Sequence, residues 1–337
     1  MSRKTYIRSF LIVVVLLIAS SFYYLPYYVS KPGMAKNLEP LVEVEGGDDA
    51  SGNFMLTTVR MGKANIYSYA MAKFNKYHEI YPEAAIRGEG ETDKEFNVRQ
   101  LHLMDGSKNN AIQIAYEKAG KPISFEYLGV YVLNVLKGMP ADGKLQPGDQ
   151  IIEVDDLKFK SSKQFIDYVS GKKAGDTVTL VYKRESETET VVLKLKQFEE
   201  DNKKVGIGIS LDDDKKVITD PVVSMDTDQI GGPSAGLMFT LEIYNQLTEG
   251  DITKGYQIAG TGTMSEDGTI GPIGGIQQKI VAADKAGADI FFAPNENGAE
   301  RSNYREVLIA AKDIKTDMEI VPVDTVDDAL KYLEKLK

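Results

Sequence analysis

Cysteine is absent from the 337 residues, so disulfides, thiolate metal centres and a cysteine nucleophile are excluded together. Tryptophan is absent as well, and histidine occurs only as His78 and His102. Neither has a neighbour at metal-ligand spacing, so no metal site is expected. A basic excess is also missing: 40 Lys and Arg face 50 Asp and Glu, for a net charge of −10. Nucleic acid is therefore not an expected partner, because its binders present a cationic face to phosphate. What remains, 42% hydrophobic and 27% charged residues, is an ordinary globular composition. The length suggests about two domains.

Long apolar runs are scarce. The single one extends from Phe10 to Val29, interrupted by Ser20, Ser21 and Pro26. Arg3, Lys4 and Arg8 precede it, and it ends among Phe22, Tyr23, Tyr24, Tyr27 and Tyr28. About 20 apolar residues cross a bilayer. Preceding cations stay in the cytoplasm and aromatic rings favour the interface. The expectation is a cytoplasmic stub over 1–6, a transmembrane helix over 7–29, and a single-pass cell-membrane protein with residues 30–337 extracellular. A signal peptide cleaved near Ala19-Ser20-Ser21 is the competing reading.

Pro32-Gly33 and the acidic stretch from Glu43 to Asp49 mark residues 30–52 as a linker. Phe54–Val59 has strand composition. Apolar residues at mixed three- and four-residue spacings predict helices over 64–81 and 93–119. From 123 to 200 short β-rich runs alternate with turn residues around one helix at 162–169, a compact β-rich module. From 201 to 337 strands and helices alternate. The expected fold class is α/β (α+β), with residues 53–122 completing the last domain.

Gly232-Pro233-Ser234-Ala235-Gly236 matches G-x-S-x-G, the pattern of a serine nucleophile on a sharp turn before a helix. Gly231 and Gly232 permit unusual backbone angles, and Pro233 suits a first helical position. Ser234 then meets the free N–H groups of a helix start, which favour an oxyanion; plain N-capping is the bland alternative. Both histidines precede Ser234, whereas α/β-hydrolases place theirs after it. A base other than histidine is required, and lysine is the available choice. Lys279 is the candidate. It lies three residues after Ile276 and four before Ala283, on the apolar stripe of a helix expected over 276–286. Burial lowers the pKa of an amine, and a neutral amine accepts a serine proton. The bland alternative is a lysine snorkelling to solvent from the edge of the stripe.

Gly231–Leu237 resembles the serine motif of the Lon-type proteolytic domain. Thr261-Gly262-Thr263 followed by Gly268–Lys279, with its Gly271-Pro272-Ile273-Gly274-Gly275 turn, resembles that family's lysine motif. The two motifs occur in order, and the serine and lysine stand 45 residues apart. The resemblance implies a Ser–Lys dyad of Ser234 and Lys279, with Thr261 hydrogen-bonded to the lysine and Gly232 supporting the turn. Two positions depart from the family pattern. Gly231 stands where many members have an acid, with Asp226 and Asp228 nearby, and Gln277 stands where many have lysine. No cofactor is expected. Gly138–Lys144 approaches a P-loop but ends in Leu145 where a Mg²⁺-binding Ser or Thr is needed, so ATP is not an expected partner.

The middle module resembles a PDZ domain, with Tyr127-Leu128-Gly129-Val130 in the place of the carboxylate-binding loop. That resemblance implies peptide binding at Leu128, Gly129 and Val130 by strand addition. Ser170–Lys173 reads S-x-x-K, but its Gly- and Lys-rich setting makes it a solvated loop. Anchor, PDZ and Lon-type domain in this order resemble the surface-anchored Lon-like proteases of Gram-positive bacteria. That implies an ATP-independent serine endopeptidase acting on extracellular peptides, secreted signalling peptides included, or on exposed protein segments. The rival readings are a carboxyl-terminal processing protease and an inactive surface PDZ adaptor.

Overall fold

The computed structural model describes residues 3–48, 50–88, 90–198, 204–227 and 230–336. The chain divides into two compact units. One comprises Met1–Glu43, Gly47–Gly90 and Ser234–Lys337, and the other Val44–Gly46 and Glu91–Pro233.

The first unit begins with helix α1 (Arg3–Ser21) and strands β1 (Tyr24–Asn37) and β2 (Asn53–Asn65). Helix α2 (Ile66–Phe74) and strand β3 (Glu79–Pro82) follow. After the second unit come α3 (Gly236–Leu247), β4 (Gln257–Gly260), α4 (Ile276–Lys285), β5 (Ile290–Pro294), α5 (Asn303–Ile314), β6 (Glu319–Val323) and α6 (Val326–Leu333). A six-stranded sheet runs in the order β6-β5-β4-β2-β1-β3. β2, β4, β5 and β6 are parallel, while β1 is antiparallel to both of its neighbours. Parallel strands covered on both faces read as continuous apolar runs. Phe54-Met55-Leu56 and Ile290–Ala293 are such runs, and each of these residues is buried. Ile276, Ile280 and Ala283 of α4 and Val307, Ala310 and Ala311 of α5 pack with Met55, Ala259 and Phe291 of the sheet.

Three expectations fail here. Residues 7–29 do not form one helix. α1 stops at Ser21, and Tyr24–Val29 already belong to β1, paired through Tyr28 and Val29 with both β2 and β3. Pro26 cannot continue a helix, and Tyr28 and Val29 are buried in the sheet. Among the described residues no helix is long and apolar enough to cross a membrane. Nor is 30–52 simply a linker, since β1 runs through Asn37 and carries Pro32-Gly33 inside it. Gly33 is needed there because a Cβ would meet the Thr58 carbonyl oxygen at 2.6 Å. The helix expected over 64–81 ends at Phe74 and yields to β3.

The second unit carries a helix, Asp93–Lys118, started by a capping box between Thr92 and Glu95. It also holds a five-stranded sheet in the order Ile209–Thr219, Ile123–Val135, Gln150–Val154, Thr177–Arg184, Glu187–Lys194. Helix Ser162–Ser170 closes its core through Phe165 and Val169. The first strand in that order lies beyond residue 200, so the β-rich module is completed by chain that its composition had assigned elsewhere.

Candidate active site

α4 sets the position of the lysine. Its N-cap is Gly275, held at φ +70°, where an added Cβ would strike Val59 Cγ1 at 2.6 Å. That left-handed start, open to glycine alone at low cost, turns the chain so that Ile276, Ile280 and Ala283 enter the core. Lys279 rides on the same stripe and is only 2% exposed. Burial among apolar groups pushes its amine from 10.5 down to about 7, because the charged form loses its hydration.

Ser234 immediately precedes Ala235, the N-cap of α3, and is half-buried. Its carbonyl oxygen accepts from the Gly262 N–H at 2.9 Å and from the Thr261 hydroxyl at 2.9 Å. Thr261 is wholly buried. Gly260 and Gly262 flank it because neither tolerates a Cβ, which would meet Met238 Sδ or Ile270 Cγ2 at 2.5 Å. The Lys279 Nζ stands 2.7 Å from Ser234 Oγ and 2.9 Å from Thr261 Oγ1. The fold thus brings Ser234, Thr261 and Lys279 together.

Gly232 takes the unusual backbone angle expected of it, φ +88°, but its N–H is committed to the Gln100 carbonyl at 3.0 Å. It is not a free oxyanion donor. The remaining positions turn out differently. Pro233 lies outside α3, not in its first turn. Asp226 is exposed, and Asp228 falls outside the described residues. Leu128, Gly129 and Val130 do not form a peptide-carboxylate loop. Their strand is paired on one side with Ile209–Thr219 and on the other with Gln150–Val154, so it has no free edge to offer. Gly129 is glycine because a Cβ would meet the Ile151 carbonyl oxygen at 2.4 Å. His102 is stacked on Tyr131 and hydrogen-bonded to Asp212.

Sequence reasoning missed two features. The outer edge of the sheet is Ile209–Thr219, beside helix Ser162–Ser170, and the run Val205-Gly206-Ile207-Gly208 leads into it. Glycines just before an alternating strand were the available signal. The second is Glu242, buried in α3 at 4% exposure, legible as a carboxylate between Leu241 and Ile243 in an otherwise apolar helix.

Residues 221–335 match the Lon protease (S16) C-terminal proteolytic domain, and residues 101–195 match the PDZ domain. The chain carries a PDZ domain and a Lon-type serine peptidase domain. It is 39% identical over 101 residues to a Lon protease of Campylobacter concisus, covering 30% of this chain and 12% of that protein. It is 32% identical over 109 residues to a Lon protease of Metamycoplasma arthritidis, covering 32% and 12%. The chain thus spans about an eighth of the length of these curated relatives. Among solved structures, the PDZ domain of an SdrC-like protein from Listeria monocytogenes is 44% identical, covering 26% of this chain and 90% of that one at a TM-score of 0.25.

Proposed function

We propose that the chain is an ATP-independent serine endopeptidase working through a Ser234–Lys279 dyad. The observation that carries this reading is the 2.7 Å approach of a buried, low-pKa amine to the serine hydroxyl. With Lys279 neutral, the Ser234 O–H donates to its lone pair. Oγ then attacks the peptide carbonyl carbon, forming the C–O bond as the proton passes to Nζ. The resulting ammonium returns that proton to the departing amine as the C–N bond breaks, leaving an acyl-serine. Water then attacks the acyl carbon as Nζ takes its proton. The C–Oγ bond breaks, Oγ receiving that proton back from Nζ as the carboxylic acid product leaves and ionises. At the start of α3 the Leu237 N–H is held by the Gly262 carbonyl at 3.2 Å, and the N–H groups of Ala235 and Gly236, which the helix itself leaves unpaired, support an oxyanion role. One such donor is worth about 10²–10³ in rate where it has been removed.

Extended peptides and exposed protein segments are the substrates that fit, secreted signalling peptides among them. No P-loop occurs in these residues to power unfolding. An extended peptide adds to the outer edge of Ile209–Thr219, with Val205–Gly208 at its head. The exposed apolar side chains of α1, from Phe10 to Ile18, support membrane association through that helix.

The test is peptide cleavage by purified full-length protein with a serine-directed phosphonate as titrant. Wild type is labelled and active without ATP and in the presence of a chelator. Ser234→Ala is neither labelled nor active. A folded Lys279→Ala protein cleaving at the wild-type rate overturns the dyad.

A further inference from the structure

We infer that α2 is a second lipid-contacting element, lying in the headgroup region of an anionic membrane beside α1. This rests on the membrane association of α1 proposed above and adds a surface to it. Ile66 is 44% exposed, Tyr67 39%, Met71 62% and Phe74 93%. Spacings of four and seven residues place Ile66, Ala70 and Phe74 beside Tyr67 and Met71 on one face. The opposite side, through Ala72 and Tyr69, packs on Val29, Ala64, Tyr27 and Ile80. α2 is therefore an amphipathic helix presenting its larger apolar side chains outward, the reverse of what a core-packed surface helix does.

The occupant follows from continuity and from charge. The start of α2 is fastened to the end of α1. Tyr67 donates its hydroxyl to the Leu17 carbonyl at 3.0 Å and hydrogen-bonds Ser20, while Asn65 Nδ2 donates to the Ser21 carbonyl at 3.0 Å. Between them stand Phe22, Tyr23 and Tyr24, 72%, 63% and 55% exposed. These are the residue types that settle at a membrane–water boundary. The chain is acidic overall, yet residues 50–78 contain no Asp or Glu and hold Arg60, Lys63, Lys73 and Lys76. Lys63 is ion-paired with Glu83 and Lys76 with Asp313, which leaves the exposed Arg60 and Lys73 to face an anionic surface. An exposed apolar helix face in a stretch that keeps Arg60 and Lys73 and has no acid of its own, fastened to an apolar helix, fits an interface containing anionic headgroups.

Because the chain has no tryptophan, single reporters can be read without background. Full-length Leu16→Trp, Phe74→Trp and Ile309→Trp proteins are mixed with phosphatidylcholine–phosphatidylglycerol vesicles, with and without brominated acyl chains. Ile309 is 71% exposed on α5 and serves as a reference surface position. The expected result is a blue shift and bromine quenching for Leu16→Trp and Phe74→Trp, with none for Ile309→Trp. Quenching at Leu16→Trp alone overturns the role of α2 and leaves that of α1 standing, and quenching at neither overturns both. Equal quenching at Phe74→Trp and Ile309→Trp overturns the assignment as unspecific adsorption. A blue shift of Phe74→Trp that grows with protein concentration in the absence of vesicles means that a second copy covers the helix, which also overturns it. As a second readout, Met71→Glu with Phe74→Glu is expected to weaken vesicle co-sedimentation about tenfold or more, since two large apolar groups are lost from the contact. Peptidase activity in solution is expected to stay unchanged.

Discussion

Lys279 donates from Nζ to Oγ1 of Thr261 at 2.9 Å, and the Thr261 hydroxyl spends its own proton on the Ser234 carbonyl. Its oxygen can therefore only accept from the amine. When Lys279 is neutral, one N–H is held by Thr261, and the lone pair is left to face Ser234 Oγ. In the proposed mechanism Thr261 orients the base and pins the nucleophile's backbone at once.

Activity is expected to rise with pH through about 7, since the acting form is the neutral amine and burial brings its pKa to that value. A pH–rate profile of kcat checks this; a profile still rising steeply at pH 10 counts against the buried amine. Lys279→Arg is expected to be inactive across the same range, because a guanidinium stays protonated. The lysine also links pH to stability. Between about 7 and 10.5 the unfolded chain holds more protons at this group than the folded one, so its contribution to stability improves as pH rises through that window.

Thr261→Val keeps the size and removes both hydrogen bonds. The Ser234 carbonyl retains only the Gly262 N–H, and the amine loses its guide. The expected outcome is a loss of about 1–3 kcal/mol in stability and a fall in kcat exceeding any change in KM. Thr261→Ser should restore most of the rate. Thermal melts and steady-state kinetics of the pair decide it, and an unchanged kcat for Thr261→Val removes the residue from the mechanism.

Gly275→Ala places a Cβ 2.6 Å from Val59 Cγ1 at φ +70°. A non-glycine residue in that region costs on the order of 1–3 kcal/mol, and here the first turn of the lysine helix must shift. Lower thermal stability together with reduced phosphonate labelling is expected. Gly274→Ala, with open space around its Cβ position, is the matched control and should remain near wild type.

Glu242 accepts from Gln246 Nε2 at 2.6 Å, and Gln246 also donates to the Val42 carbonyl at 3.0 Å. Burial, helped by the nearby charges of Glu39 and Asp251, raises its pKa from 4.5 to about 7. Here the unfolded chain releases its proton first, so stability falls as pH rises from about 4.5 to 7 and stays lower above. At about 1.4 kcal/mol per pH unit the cost is on the order of 3 kcal/mol. Glu242→Gln is expected to raise the melting temperature at pH 8 and to leave it nearly unchanged at pH 4. Equal shifts at both pH values would show that the carboxyl's ionisation is not what matters.

The pairing of Ser234 with Lys279 was expected from sequence because two segments resemble the serine and lysine motifs of the Lon-type domain. Turn glycines, a proline before the serine and a 3.6-residue apolar stripe carrying one lysine are short-range signals that by themselves mark each residue only as a candidate. The strand–helix alternation after residue 235 was legible from short-range signals of that kind. Which strand borders which was not, because sheet edges are filled by segments distant in sequence. The apolar, aromatic run from Phe10 to Val29 satisfies a membrane pattern, yet its last third is claimed by β2 and β3 once those strands are present. Gly129 looks like a carboxylate loop until Ile209–Thr219 closes over its strand and moves the free edge elsewhere. The same holds for the chemistry. The sequence names a lysine on a stripe, but desolvation is a sum over everything packed around it, and only the folded core takes the amine down to about 7.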